Sequence, residues 1–418
     1  YKAYHPNNLP HNLPMSAYNK NKPFQLMLKT SGATCNLACR YCYYLGKKHE
    51  EDHSCNSKTI NYSLLEKAIR EYILENPSNP SFVWHGGEPL LAPLEFYQNV
   101  LEIQKKYARN IYVENSIQTN GTLLNDNYCE FFAKNNWLVG ISIDGPKDIH
   151  DKYRKTADGK PTFEKVMNGI GLLKKHGVQW NAMAVISDYC AKYPNRFYEF
   201  FKGISCQFIQ FTPLVERNLK ESSKLASLQD EGVISNYSVR PESWGNFLCD
   251  IFDKWIAKDV GEIFIQIFES TLANWLNITP GVCTMSDSCS SSLVLSHNGD
   301  IYPCDHFVFP HYKLGNLYEQ NFTQLRDNRK IKNFALMKTE LLPDECKQCE
   351  FYFACKGECP RNRFCKSLSG QPYANYLCGG YKKFFKHASP YMDYLKQEFL
   401  ARRPLKSVMN FRAGKYRT

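Results

Sequence analysis

Cys35-Asn-Leu-Ala-Cys39-Arg-Tyr-Cys42 gathers three thiols into eight residues, separated by three residues and then by two. Three soft ligands on one short loop suit an iron–sulfur cube, which normally takes four cysteines. Without a fourth cysteine, one iron keeps an open position where a small molecule can bind and be transformed. Two plainer roles compete with this one. The thiols could belong to a closed four-ligand zinc site, or be buried as small apolar residues. The flank favours the cluster. Residues 25–30 read as a short strand, so the loop leaves the C-terminal end of a strand, where α/β folds place their chemistry.

Other polar groups fall at comparable places. His85-Gly86-Gly87-Glu88-Pro89 follows a second strand. Its glycines would let backbone approach a ligand closely, and its carboxylate could hold an amine. Gln118-Thr-Asn120-Gly121 and Ser142-Ile-Asp144-Gly145-Pro146 follow a third and a fourth strand, with Arg154 a little later. Any one of these could be an ordinary turn; together they outline one polar rim beside the cysteine loop.

A second set of thiols lies downstream: Cys283, Cys289, Cys304, Cys346, Cys349, Cys355, Cys359 and Cys378, with Cys365 among them. A disulfide framework suits small secreted domains better than a 48.5 kDa chain. Clustered cysteines in a reducing compartment favour metal. Cys346-x2-Cys349 taken alone would also fit a zinc ribbon. Cys55, Cys129, Cys190, Cys206, Cys249 and Cys365 read as ordinary thiols.

The elements that must position these groups alternate. Strands are expected at 25–30, Ser81–His85, Ile111–Gln118, Trp137–Ile143, Trp180–Ile186 and Gln207–Thr212, with amphipathic helices between them. Ser63–Asn76 begins with a capping-box pattern, Ser63 with Glu66; Leu94–Ala108 and Phe163–His176 read similarly. Six β/α repeats predict an α/β fold, a parallel sheet rolled into a partial barrel. Arg217 to Arg240 is polar and reads as a loop. Residues 242–277 return to helix, with Trp244, Phe247, Ile251 and Trp255 at core spacing. Beyond Cys283 come short turns, a helix near 381–399 and a basic tail. The divisions are 1–24, 25–215, 216–282, 283–385 and 386–418.

No apolar run approaches the ~20 residues of a membrane span. The polar start of the chain has no signal-like core, so a cytoplasmic protein without membrane association is expected. The net charge of +11 could hint at RNA. Arg402, Arg403, Lys406, Arg412, Lys415 and Arg417 supply over half of it, which reads as a solvated tail rather than a nucleic-acid surface.

The cysteine triad with Tyr41 before its last member, followed by Gly86-Gly87-Glu88-Pro89, resembles the radical S-adenosylmethionine (radical SAM) enzymes. The resemblance implies that Cys35, Cys39 and Cys42 hold a 4Fe–4S cluster whose open iron chelates SAM. Tyr41, Gly87, Glu88, Ser142, Arg154 and Val215 would line the SAM pocket, with Arg154 paired to the SAM carboxylate. The downstream cysteines resemble the SPASM domain. That implies one auxiliary 4Fe–4S cluster on Cys283, Cys289, Cys304 and Cys359, and a second on Cys346, Cys349, Cys355 and Cys378. Ile117-Gln-Thr-Asn-Gly-Thr-Leu, Gly140-Ile-Ser-Ile-Asp-Gly-Pro and Tyr302-Pro-Cys304-Asp305-His306-Phe307 extend the likeness to the anaerobic sulfatase-maturating enzymes over roughly residues 25–395.

Such enzymes oxidise Cys or Ser in a Cys/Ser-x-Pro-x-Arg motif to Cα-formylglycine. Asp305 would be the catalytic base and His306 its rival, while Tyr44 and His85 face the substrate or pack a wall. The partners implied are a sulfatase polypeptide and a flavodoxin- or ferredoxin-type electron donor. The alternatives are another SPASM peptide modifier, such as a thioether-forming maturase, an electron-transfer protein, and an RNA-modifying radical enzyme.

Overall fold

The computed structural model describes residues 23–44, 59–219, 232–289 and 292–411. Cys55, residues 1–22 and the last part of the basic tail, 412–418, lie outside the described residues.

Twelve strands are described: β1 (Gln25–Lys29), β2 (Ser81–His85), β3 (Glu114–Thr119), β4 (Leu138–Ser142), β5 (Trp180–Ile186), β6 (Phe208–Pro213), β7 (Arg217–Leu219), β8 (Gly232–Ile234), β9 (Phe264–Ile265), β10 (Ser292–Leu295), β11 (Asp300–Tyr302) and β12 (Gly315–Asn316). Ten form one sheet in the order β12-β11-β10-β1-β2-β3-β4-β5-β6-β9. From β10 to β9 every neighbouring pair is parallel. Helices Tyr62–Glu75, Leu94–Ala108, Asp126–Lys134, Phe163–Lys175 and Pro194–Gly203 cross between successive strands of the β1–β6 run. Parallel strands need such crossovers, and the helices cover the sheet face. Leu26, Leu28, Phe82, Trp84, Val139 and Ile141 are buried from these strands.

The six expected strands are all present, but the parallel sheet is longer than the expected one. The short strand β9 joins beyond β6, and β10, from the cysteine-rich region, lies beside β1 with Leu26 opposite Leu293. The sheet is therefore continuous across the division placed at 283. Two residues are too few for a periodicity signal, which is why β9 escaped the sequence reading, and the cysteine turns around β10 masked it.

Other expectations shift locally. The first crossover helix is capped by Asn61, whose Oδ1 accepts from Leu64 N–H at 2.9 Å, and not by Ser63. Glu66 instead binds Lys106 and Tyr107 of the neighbouring helix. The supposed loop 217–240 holds the antiparallel ribbon β7–β8. The helical stretch 242–277 is two helices, Pro241–Lys258 and Gln266–Trp275, broken at a turn where Gly261 has φ 78°. Trp244, Phe247, Ile251 and Trp255 are core residues as expected. The last helix starts at Cys378 itself and runs to Leu400. It crosses Pro241–Lys258 so closely that a Cβ on Gly380 would lie 2.2 Å from the Pro241 carbonyl oxygen.

The basic tail is not freely solvated as far as residue 411. Arg403 pairs with Glu398 and Lys406 with Glu262, and Val408 is buried. Among the described residues no helix is long and apolar enough to cross a membrane.

Candidate functional site

The cysteine loop is tied down along its length. Ala38 N–H donates to the Lys155 carbonyl (2.8 Å) and Arg40 N–H to that of Tyr153 (3.0 Å). Leu37 N–H points at Cys35 Sγ at 3.3 Å. Asn120 Nδ2 donates to Asn36 Oδ1 at 2.8 Å, bringing the third-strand turn onto the loop. Leu37, Cys39 and Tyr41 pack with Leu214 and Tyr237 in a small apolar cluster, and Cys35 and Cys42 lie against it.

Burial pushes the Cys35 thiol up to about 11 and the Cys42 thiol up to about 12, and raises Cys39 as well. Three crowded thiols that burial keeps protonated ionise when a metal takes the place of the protons, so the donor set fits a thiolate-ligated group. Among the described residues no three His, Cys, Asp or Glu side chains converge on a single ion.

Gly86 and Gly87 allow a close approach, but the partner is the cysteine loop's own base. Gly86 has φ 135°, and a Cβ on Gly87 would lie 2.0 Å from the Thr34 carbonyl oxygen. Gly87 N–H donates to Gly32 O (2.8 Å) and Glu88 N–H to Thr34 O (2.9 Å). Glu88 does not extend towards an amine. Its carboxylate is fully buried and accepts Thr119 Oγ1–H (2.6 Å), Asn120 N–H (2.8 Å) and Leu90 N–H (3.0 Å). Burial pushes it up to about 7, against those donors. Glu88 thus fastens the third-strand turn to the glycine motif.

Arg154 and Tyr41 meet on a buried residue to which the sequence assigned no role. Asp144 accepts from Arg154 Nε (2.9 Å) and Nη2 (3.1 Å), from Val185 N–H (2.9 Å) and from the Tyr41 hydroxyl. Ser142 accepts from Gln118 Nε2 at 3.0 Å. Val215 lies in the main core, whereas its neighbour Leu214 is the residue that touches the cysteine-loop cluster.

Asp305 sits in a tight turn after Cys304 and faces back to the first loop. Tyr44 OH donates to its Oδ1 at 2.7 Å and Tyr43 OH to its Oδ2. Lys29 Nζ, from the end of β1, is 3.0 Å from Oδ1 and 4.4 Å from the Tyr44 ring centre. Tyr43 and Tyr44 directly follow Cys42, so the two cysteine regions are joined through one carboxylate. His306 packs its ring on Tyr43, centroids 5.0 Å apart, and Tyr44 OH approaches His85 Nδ1 at 3.4 Å. Lys29 and Tyr43 carried no signal beyond residue type, because only the strand register brings them to Asp305.

The downstream thiols also gather. Cys346, Cys349, Cys355 and Cys378 line a cavity of about 400 Å³, with Cys365 on its wall. Cys289 and Cys304 pack against Phe307, Tyr312 and Phe334. Every cysteine among the described residues is a free thiol, so no disulfide framework forms there. Cys129, Cys190, Cys206 and Cys249 are buried, as expected of interior thiols.

Comparison with known proteins agrees with this geometry. Residues 30–201 match the radical SAM superfamily, and residues 283–350 match an iron–sulfur cluster-binding domain, SPASM. A serine-type anaerobic sulfatase-maturating enzyme of Bacteroides thetaiotaomicron is 54% identical over 93% of this chain and 95% of its own length. A cysteine-type anaerobic sulfatase-maturating enzyme of Clostridium perfringens is 33% identical over 88% of this chain and 97% of its own. A solved structure of anSMEcpe with bound AdoMet and a peptide superposes with a TM-score of 0.80 at 32% identity, covering 90% of this chain and all of that one.

Proposed function

Because the chain belongs to the anaerobic sulfatase-maturating enzymes of the radical SAM superfamily, we propose that it oxidises a serine or cysteine of a sulfatase polypeptide, within a Ser/Cys-x-Pro-x-Arg motif, to Cα-formylglycine. Serine is the preferred residue in this reading, since the relative at 54% identity is described as serine-type. SAM and the cluster, when bound, would supply the one-electron chemistry that takes a hydrogen atom from the substrate Cβ.

The chain's own residues do the rest. Cys35, Cys39 and Cys42 hold the first cluster, and the buried thiol loop keeps water from it. Tyr41, Gly87, Ser142, Arg154 and Val215 belong to the SAM pocket, with Asp144 fixing Arg154 and Glu88 fixing the turn below. Asp305 accepts the proton of the substrate hydroxyl or thiol. Lys29, Tyr43 and Tyr44 hold its carboxylate in place. The eight downstream cysteines would hold the auxiliary clusters, which would supply an acceptor for the remaining electron. A serine side chain then ends as the aldehyde, having lost a hydrogen atom, a proton and an electron. A cysteine ends as a thioaldehyde, which water converts to the aldehyde with release of hydrogen sulfide. A flavodoxin- or ferredoxin-type protein exchanges the electrons, in the cytoplasm.

The observation carrying this reading is Asp305, gripped by the two tyrosines that follow Cys42. Anaerobic turnover of paired Ser and Cys peptides, read by mass spectrometry with 5′-deoxyadenosine measured alongside, tests it. Conversion of the serine peptide to the aldehyde is expected. An unchanged peptide beside vigorous SAM cleavage overturns it.

A further inference from the structure

Lys338 lies deep in the cysteine-rich region with no exposed surface. Its ammonium donates to the carbonyls of Thr284 (2.6 Å), Glu358 (2.6 Å) and, more weakly, Cys283 (3.4 Å). Cys283 and Cys359, which follows Glu358, are assigned to the same auxiliary cluster. One ammonium therefore ties together two ends of that ligand set. A buried cation is costly unless opposite charge is close, and carbonyl dipoles alone offset only part of that.

Glu358, whose carbonyl takes one of these bonds, is also a titratable residue. Its carboxylate is buried and already accepts from Asn362 (3.1 Å) and Asn375 (2.5 Å). Glu358 stands between Cys355 of the second set and Cys359 of the first, and its N–H donates to the Cys355 carbonyl at 2.9 Å, so the Lys338 ammonium sits on a segment that serves both ligand sets. Arg363 lies alongside, fully buried, with its guanidinium on the carbonyls of Gly357 (2.7 Å), Lys338 (2.9 Å) and Glu358 (3.0 Å). Four thiolates around a cube leave each auxiliary cluster net negative, and reduction adds one more negative charge.

We propose that Lys338 is the internal counter-charge of the two auxiliary clusters, a positioning and tuning residue that raises their reduction potentials so that they accept the substrate electron. Nearby charge and hydrogen bonds are the levers by which a protein sets such potentials. The inference rests on the clusters and holds whichever residue the enzyme oxidises.

The test is a redox titration of the anaerobic holoenzyme, followed by electron paramagnetic resonance, for Lys338→Met, Lys338→Gln and Lys338→Arg. Met and Gln are expected to make the auxiliary clusters harder to reduce by at least tenfold in the one-electron equilibrium, about 59 mV. Arg should leave the potentials near those of the parent. Unchanged potentials in Met and Gln variants with full iron overturn the proposal. If Met and Gln lose the auxiliary iron while Arg keeps it, the charge is still what the clusters require. Loss of that iron in all three variants alike shows a packing role and also overturns it.

Discussion

Glu88 carries a charge that the folded chain resists. Its ordinary value of 4.5 is pushed up to about 7 by complete burial. Between those values the folded chain keeps a proton on Glu88 that the unfolded chain has lost, so its contribution to stability falls as pH rises across that window. The full effect is about 3 kcal/mol. In Glu88→Gln this slope should vanish. Unfolding midpoints of parent and variant at pH 5.5 and pH 8 check it, the parent losing ground relative to the variant at the higher pH. Asp305 makes a different prediction. Asp305→Asn should keep SAM cleavage but lower formylglycine formation by about a hundredfold or more, the usual worth of a positioned base; the ratio of 5′-deoxyadenosine to aldehyde measures it. At this scale the cysteine spacings were legible because ligands on one loop are local in sequence. Lys29 was not, because only the strand register brings Asp305 to it; Asp144 stood in a rim motif, but nothing in residue type marked it as the partner of Arg154 across the short helix Lys147–Tyr153.

Elements place the thiols with little tolerance. The helix Cys378–Leu400 begins on an assigned ligand and presses Gly380 onto Pro241 and Gly245. Gly380→Ala should destabilise the chain by about 1–3 kcal/mol, as overpacking does, and remove iron from the second auxiliary site. Gly379→Ala adds a methyl where nothing lies within 4 Å and should do neither. Iron content and melting temperature of the two variants separate the outcomes. The long amphipathic helices were readable from their apolar stripes, and so was the strand run β1–β6. The cap of Tyr62–Glu75 was misplaced by two residues because Asn61 and Ser63 are both good caps and only the backbone chooses between them. The ribbon β7–β8 has too few residues to show an alternating pattern.

On the scale of the molecule, the first thiol loop follows β1 and Cys289 and Cys304 flank β10 and β11 of the same sheet, while Cys346, Cys349, Cys355 and Cys378 lie in the helices and turns beyond it. Replacing Cys35, Cys39 and Cys42 together by alanine should remove about four irons and all SAM cleavage, while the auxiliary clusters remain; iron analysis and absorbance check it. The sequence divided the chain at 283, but hydrogen bonding does not, since β10 completes the flank of β1. That pairing joins Gln25 to Ser292 and therefore waits for roughly 270 further residues of synthesis. Until then the nascent barrel carries β1 as an open edge, an invitation to wrong pairing. Folding of such a distant parallel pair is slow. Shielding β1 on the ribosome is thus a demand that this topology makes of the cell before any iron arrives.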